Sequence, residues 1–383
     1  MNKATAFGII VVIVGAIGFW VRESKPPSSD YAAFCAGPPL RTVEKRNAAL
    51  EDGYEIDRRF DCIAKTSYEE VTRSRQRRES ARANAGAKAD AARQQEAAGR
   101  AAPAQTLSEA RREFKTGISD PSTGQPPLPS PPPNLFVRLD YDSASGRLPA
   151  FVTPDPRDGQ KHAAIVWLTG GDTNSLEDVW SPQPESNDQT ARPFRDAGLV
   201  MMFPSLRGGN ANPGGKEYFL GEVEDVLAAA EYLARLPYVD PARIYLGGHS
   251  TGGTLALLVA ESSGRFKSVF ALAPVARVND YPASLAPYNF SARGEMEQRL
   301  RSPIYWLAGI TSPTYVIEGM TAPSNIRSLE ELCKKNANPQ VICIRVAGAN
   351  HFSVVSRVTK VIAARLAVPN EGVKWIIRPE EFQ

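Results

Sequence analysis

Two places in this chain hold residues that can do nucleophilic chemistry together. The stretch Gly247-Gly248-His249-Ser250-Thr251-Gly252-Gly253 contains the spacing Gly-x-Ser-x-Gly. The β-prone run Arg243–Leu246 precedes it and the helical run Thr254–Ala260 follows. Strand, sharp turn and helix are the setting that lifts a serine hydroxyl above a sheet, and glycine lets the neighbouring backbone pass closely. The N–H of Thr251, at the amino end of the helix, then faces an oxyanion forming on a substrate carbonyl. A serine hydroxyl is inert near neutral pH unless a base removes its proton. The chain has 3 histidines. His249 adjoins the serine but points elsewhere on the turn, and His162 precedes a strand at its wrong end. His351, in the loop Ala347-Gly348-Ala349-Asn350-His351-Phe352, follows the last apolar run and opens the final helix. Ser250 is therefore expected as nucleophile and His351 as general base.

A second oxyanion donor is expected from the loop after the first central strand. Thr169-Gly170-Gly171-Asp172 stands there, directly after Ala163–Leu168. Either Gly170 or Gly171 can donate a backbone N–H, and the sequence does not choose between them. No ligand-spaced cluster of His, Cys, Asp or Glu and no phosphate-binding glycine loop accompanies these residues, so neither a metal nor an organic cofactor is expected.

The elements needed to position these groups are legible around them. Phe136–Tyr141 and Leu148–Thr153 read as paired strands with a turn at Ser145-Gly146. Unbroken apolar runs follow at Ala163–Leu168, Leu199–Phe203, Arg243–Leu246, Ser268–Leu272, Thr314–Ile317 and Val341–Val346. Such runs suit strands buried on both faces of a parallel sheet. Helical stretches separate most of them. In Glu222–Leu236 the residues Val223, Val226, Leu227, Ala230 and Leu233 share one face. The order is that of a doubly wound α/β domain. Two insertions flank the expected site: Asn174–Thr190, with Trp180, and Asp280–Pro303. From the second, Tyr281, Tyr288 and Phe290 are candidate linings of an acyl pocket. Arg207 is a candidate partner for a substrate carboxylate, or else an arginine used by its own turn.

Taken together, Ser205-Leu206-Arg207-Gly208-Gly209, the helix EVEDVLAAAEYLARL, the phrase YVDPARIYLGGHSTGG and the closing GANHF resemble the hydrolase domain of the prolyl oligopeptidase family. The resemblance covers roughly Leu135–Leu366. It implies the α/β-hydrolase fold, a Ser–acid–His triad, and hydrolysis of an ester or peptide bond through an acyl-enzyme. The Thr169-Gly170-Gly171 loop is similar to the family's oxyanion loop, with threonine where histidine is usual. At the acid the chain departs from the pattern. The family's aspartate falls three residues past the glycine ending the seventh strand, and Ala322 occupies that place here. Glu318, at the strand's carboxyl end, is the first alternative acid and Asp280, after the sixth strand, the second. If neither serves, a Ser–His dyad or an inactive relative remains.

The remaining third of the chain differs in character. Ala4–Val21 holds about 18 uncharged residues, a helix of roughly 27 Å against a hydrocarbon core of about 30 Å. No small-x-small cleavage site follows, so residues 1–25 are expected to be an uncleaved transmembrane anchor rather than a signal peptide. Residues 26–115 are expected to be a helical, charged segment, with the stretch from Glu69 to Arg100 a solvated basic helix. Residues 116–134 are expected to be a proline-rich linker, and residues 135–383 the hydrolase domain. Short amino-terminal flanks usually stay in the cytoplasm. Cys35 with Cys62 and Cys333 with Cys343 form two plausible pairs. Both features put the catalytic domain on the periplasmic or extracytoplasmic side. The net charge of +3 is too small to suggest nucleic acid. The expected protein is thus a membrane-anchored serine hydrolase acting on a small-molecule ester or a peptide. The alternatives are an aminopeptidase-like serine peptidase and a non-catalytic envelope scaffold that lost its acid.

Overall fold

A computed structural model describes residues 105–121, 126–368 and 376–382. The run Ala4–Val21, the basic segment and Cys35 and Cys62 lie outside the described residues. Among the described residues no helix is long and apolar enough to cross a membrane.

The main sheet has eight strands: β2 (Val137–Ser143), β3 (Gly146–Val152), β4 (His162–Leu168), β5 (Val200–Pro204), β7 (Val239–His249), β8 (Val269–Leu272), β9 (Thr314–Thr321) and β10 (Val341–Asn350). They lie in the order β10-β9-β8-β7-β4-β5-β3-β2. Neighbours from β10 to β5 are parallel, while β3 runs antiparallel to both β5 and β2. This is the α/β-hydrolase fold. Alternation along the strands divides the core into two layers, as the pleat requires. Ala164 and Val166 of β4 join one apolar cluster, and Ile165 and Trp167 join the other.

On the first face lie two helices, α3 (Glu222–Ala234) and α4 (Thr251–Ser262). Of the apolar stripe read from the sequence, Val223, Val226, Ala230 and Leu233 are fully buried on α3, and Leu227 is half-buried at its edge. Its first turn carries Glu222, Glu224 and Asp225, favourably placed at the positive end of the helix dipole. On the second face lies α8 (Ser353–Leu366), with Val354, Val355, Val358 and Ile362 in the core. A disulfide joins Cys333, in α7 (Ile326–Lys335), to Cys343 in β10, with Cα atoms 6.1 Å apart.

Two boundaries differ from expectation. Strand β7 starts at Val239, ahead of the apolar run, because Val239 pairs with His162. The expected division at residues 115 and 116 falls inside the packed body. Helix α1 (Leu107–Arg112) and the segment after it dock on the domain, burying Leu107, Ala110 and Ile118. Arg111 donates to the carbonyls of Phe219, Leu220 and Leu300 at 2.9, 3.0 and 2.7 Å. Strand β1 (Asp120–Pro121) pairs with β6 (Gly215–Lys216). Three apolar residues among many charges are too few to announce such docking, which rests as much on the arginine fork.

Arg207 closes the turn after β5. It holds Asp225 through Nε at 2.8 Å and Nη2 at 2.9 Å, and Glu217 through Nη1 at 2.8 Å. Asn174 Nδ2 bridges the Arg207 carbonyl and Glu222 Oε1. Arg207 is therefore a structural arginine, as the turn alternative had it, with its fork already occupied. Removing Asp225 leaves the buried guanidinium with Glu217 alone and takes the acceptors from its Nε and Nη2. Asp225→Ala is expected to lower the free energy of unfolding by about 3–5 kcal/mol, measured by urea titration of the full chain.

Candidate active site

Ser250 stands between β7 and α4 with φ 54° and ψ −114°, outside the regions ordinary residues adopt. Hydrogen bonds on both sides hold it there. Its N–H donates to Leu272 O at 2.9 Å, and its carbonyl accepts from Thr254 N at 2.9 Å. The tight turn needs Gly252, where a Cβ would lie 2.2 Å from the Leu168 carbonyl oxygen.

His351 follows β10 directly, and its Nε2 lies 3.1 Å from Ser250 Oγ. Its Nδ1 lies 3.4 Å from Glu318 Oε2, a long contact of the kind that tightens when substrate binds. Glu318 sits fully buried in β9. Its Oε1 accepts from Gly319 N at 2.7 Å and its Oε2 from Asn325 N at 3.0 Å. These donors fix the carboxylate and aim it at the imidazole. Ser250, His351 and Glu318 are therefore brought together. Asp280 is not: it lies exposed on a 3₁₀ turn, where it accepts from Arg277 N at 3.0 Å.

The two glycines left open by the sequence are now distinguished. The Gly170 N–H donates to Gln189 Oε1 at 3.0 Å. Gly171 adopts φ +76°, and a Cβ there would meet nothing within 4 Å. Its N–H has no partner among the described residues. Thr251 is the first residue of α4, so its N–H lacks an intrahelical acceptor. Its hydroxyl donates to the Gly171 carbonyl at 2.9 Å, tying the two prospective donors of an oxyanion hole to each other.

The expected pocket aromatics are mostly committed to packing. Tyr281 stacks on Phe219 at 5.6 Å and shares a hydrogen bond with Thr254 Oγ1 at 2.7 Å. Phe290 is fully buried, and Tyr288 donates to Asp120. Trp180 packs edge-on to Phe151. His162 contacts Asp158 at 3.1 Å. The exposed apolar residues Phe352 and Met320 stand beside the triad in sequence, and the Phe352 ring meets the His351 ring edge-on at 5.0 Å.

Two residues of the site escaped sequence reasoning. His249 is buried and donates to the His351 carbonyl from Nε2 at 2.7 Å. Burial pushes its pKa down to about 3, with the nearby His351 ring adding to the effect. Gln189, from the first insertion, reaches both His249 and the Gly170 N–H. The only prior signal was a histidine beside the nucleophile in a chain with 3.

A strained serine, an imidazole on its hydroxyl and a buried carboxylate behind that imidazole form an arrangement of the serine-hydrolase kind on the α/β-hydrolase fold. The sequence model of the prolyl oligopeptidase family matches residues 185–361. A similar curated protein is the dual function macrocyclase-peptidase POPB of Galerina marginata (strain CBS 339.88). It is 29% identical over 138 residues, covering 33% of this chain and 18% of that protein. The match thus spans about a fifth of that relative's length. Among solved structures, Porphyromonas gingivalis dipeptidyl peptidase 4 is similar over 59% of this chain and 35% of its own, at 20% identity and TM-score 0.48. An esterase of Pyrobaculum calidifontis is similar over 61% of this chain and 84% of its own, at 20% identity and TM-score 0.46.

The contacts of Glu318 and Asp280 lead to opposite expectations. Glu318→Gln should lower kcat by up to about 10⁴-fold, whereas Asp280→Asn should leave it near wild type. Steady-state kinetics on a chromogenic ester would check both.

Proposed function

We propose that this protein is a membrane-tethered serine hydrolase that cleaves a carboxylic ester or a peptide bond through an acyl-Ser250 intermediate. The observation that carries this reading is the 3.1 Å contact between Ser250 Oγ and His351 Nε2 at a strained strand-to-helix turn. His351 takes the hydroxyl proton as Ser250 Oγ bonds to the substrate carbonyl carbon. The carbonyl electron pair moves onto oxygen, where the N–H groups of Thr251 and Gly171 stabilise it. Collapse expels the alcohol or amine, which leaves with the proton from His351. Water then attacks the acyl-enzyme with His351 again as base, releasing the acid and restoring the serine. Glu318 holds the imidazole tautomer and stabilises the imidazolium.

The match to the prolyl oligopeptidase family favours a peptide-like substrate. The expectation of an ester rests on the hydrolase constellation itself. The anchor reading rests on the 18 uncharged residues Ala4–Val21. The Cys333–Cys343 disulfide suits an oxidising compartment, which supports an extracytoplasmic catalytic domain.

Full-length protein in detergent is expected to label with a fluorophosphonate probe, and Ser250→Ala is expected to abolish labelling. No labelling of a folded wild-type protein would remove the catalytic reading and favour the scaffold. Turnover of short-chain chromogenic esters beside aminoacyl anilides would assign the bond. The native chain is also expected to stay with membranes through alkaline carbonate washing, and release into the supernatant would sink the anchor.

A further inference from the structure

The base His351 is held by its backbone as well as by its ring. Its N–H donates to Pro323 O at 2.7 Å, and its carbonyl accepts from His249 Nε2 at 2.7 Å. A carbonyl can only accept, so the His249 proton is on Nε2 and its Nδ1 is an acceptor. Gln189 matches that requirement. Its Nε2 lies 2.9 Å from His249 Nδ1 and 2.7 Å from Asn187 Oδ1, so the amide nitrogen faces two acceptors. Its Oε1, 3.2 Å from His249 Nδ1, takes the Gly170 N–H at 3.0 Å. The backbone N–H of Gln189 is in turn held by Gln183 Oε1 at 2.9 Å. The Gly170 N–H, the Gln189 amide, His249 and the carbonyl of His351 are therefore linked in series, with Gln189 Nε2 as the donor to His249 Nδ1.

Gly170 is shaped to this contact. A Cβ there would lie 2.9 Å from His249 Nδ1 and 3.3 Å from Ser250 Cβ. The His249 and His351 ring centroids are 4.8 Å apart, so a second charge there would oppose the imidazolium that the reaction creates. Burial keeps His249 neutral. This neutral imidazole thus joins three loops that carry chemistry: the glycine loop after β4, the turn at Ser250 and the base loop after β10.

We infer that Gln189 and His249 form a positioning clamp, which sets the His351 backbone and the Gly170–Gly171 loop relative to Ser250. Neither residue touches the reacting atoms, so both act through others. The inference rests on the reading of Ser250 and His351 as nucleophile and base. Its consequence is selective: the clamp governs how fast Ser250 is acylated and deacylated, not how tightly substrate binds. A misplacement of about 1 Å in such a site costs around 100-fold in rate, which bounds the effect.

The test compares full-length wild type with His249→Phe, His249→Gln, Gln189→Leu and the Gln189→Leu/His249→Phe double variant. Two quantities are read: the second-order rate of fluorophosphonate labelling, and kcat and KM on one chromogenic substrate. His249→Phe and Gln189→Leu are each expected to slow labelling by about 10- to 100-fold and to lower kcat with KM changed less than about twofold. His249→Gln retains an N–H close to the place of the imidazole Nε2 and is expected to recover a large part of the rate. Residues acting as a unit are non-additive, so the double variant should be about as slow as the slower single one. The clamp is overturned if the singles label at the wild-type rate, if their effects multiply in the double, or if KM rises while kcat holds. It is also overturned if His249→Gln is no faster than His249→Phe. Gln189→Leu keeps the test decisive if the histidine variants fail to fold. A wild type that labels beside variants that label alike removes only the clamp, whereas a folded wild type that never labels removes the hydrolase reading beneath it.

Discussion

The backbone of Ser250 is the constraint on which the arrangement depends. A non-glycine residue at φ 54° and ψ −114° costs on the order of 1–3 kcal/mol and persists only where the surroundings over-determine it. Here the parallel strands β4, β7 and β8 supply that restraint. β7 feeds the turn, β8 accepts the serine N–H at Leu272, and the end of β4 packs so closely that Gly252 admits no side chain. Helix α4 then takes over the chain, its first N–H left facing the space above the serine. Because β9 and β10 run parallel to these strands, their carboxyl ends deliver Glu318 and His351 to the same edge of the sheet. The hydroxyl, imidazole and carboxylate meet because one set of strands ends together.

Charge is handled differently around Arg207 and in the active site. Around Arg207 two carboxylates close on one guanidinium, and the neighbouring Glu222 accepts from Asn174 and the N–H groups of Glu217 and Tyr218. The guanidinium's fork and Glu222 Oε1 are engaged, while Glu222 Oε2 is buried without a partner. In the active site Glu318 is held by backbone N–H groups instead of a cation. It is therefore oriented without losing its influence on the imidazole. His249 is neutral through burial, so the one positive charge that catalysis creates there belongs to His351.

The segment 105–121 gives the domain a longer boundary than the proline-rich stretch suggests. Its contacts reach the Phe219–Leu220 turn, Leu300 and the second insertion. Asp120 accepts from both Tyr218 and Tyr288, joining two loops that are far apart in sequence. Residues 105–121 are thereby fastened to the insertion after β8 as part of the packed domain.

The serine at Gly248-His249-Ser250-Thr251-Gly252, the histidine after the last strand and the alternation of apolar runs with helices were all readable from the chain. Each is a local pattern: turn chemistry written in glycine spacing, buried strands in unbroken apolar runs, and a helix in its 3.6-residue period. Residue order alone left the acid open between Glu318 and Asp280 and the second donor open between Gly170 and Gly171, and it gave Arg207 two roles. Those choices depend on distances between residues far apart in sequence, and they follow from which strands are neighbours and where each one ends. His249 and Gln189 show the same limit, separated by 60 positions and joined by a contact of 2.9 Å. A lone polar side chain carries no sign of its partner until the fold has buried it, and only then does its need for a hydrogen bond select one.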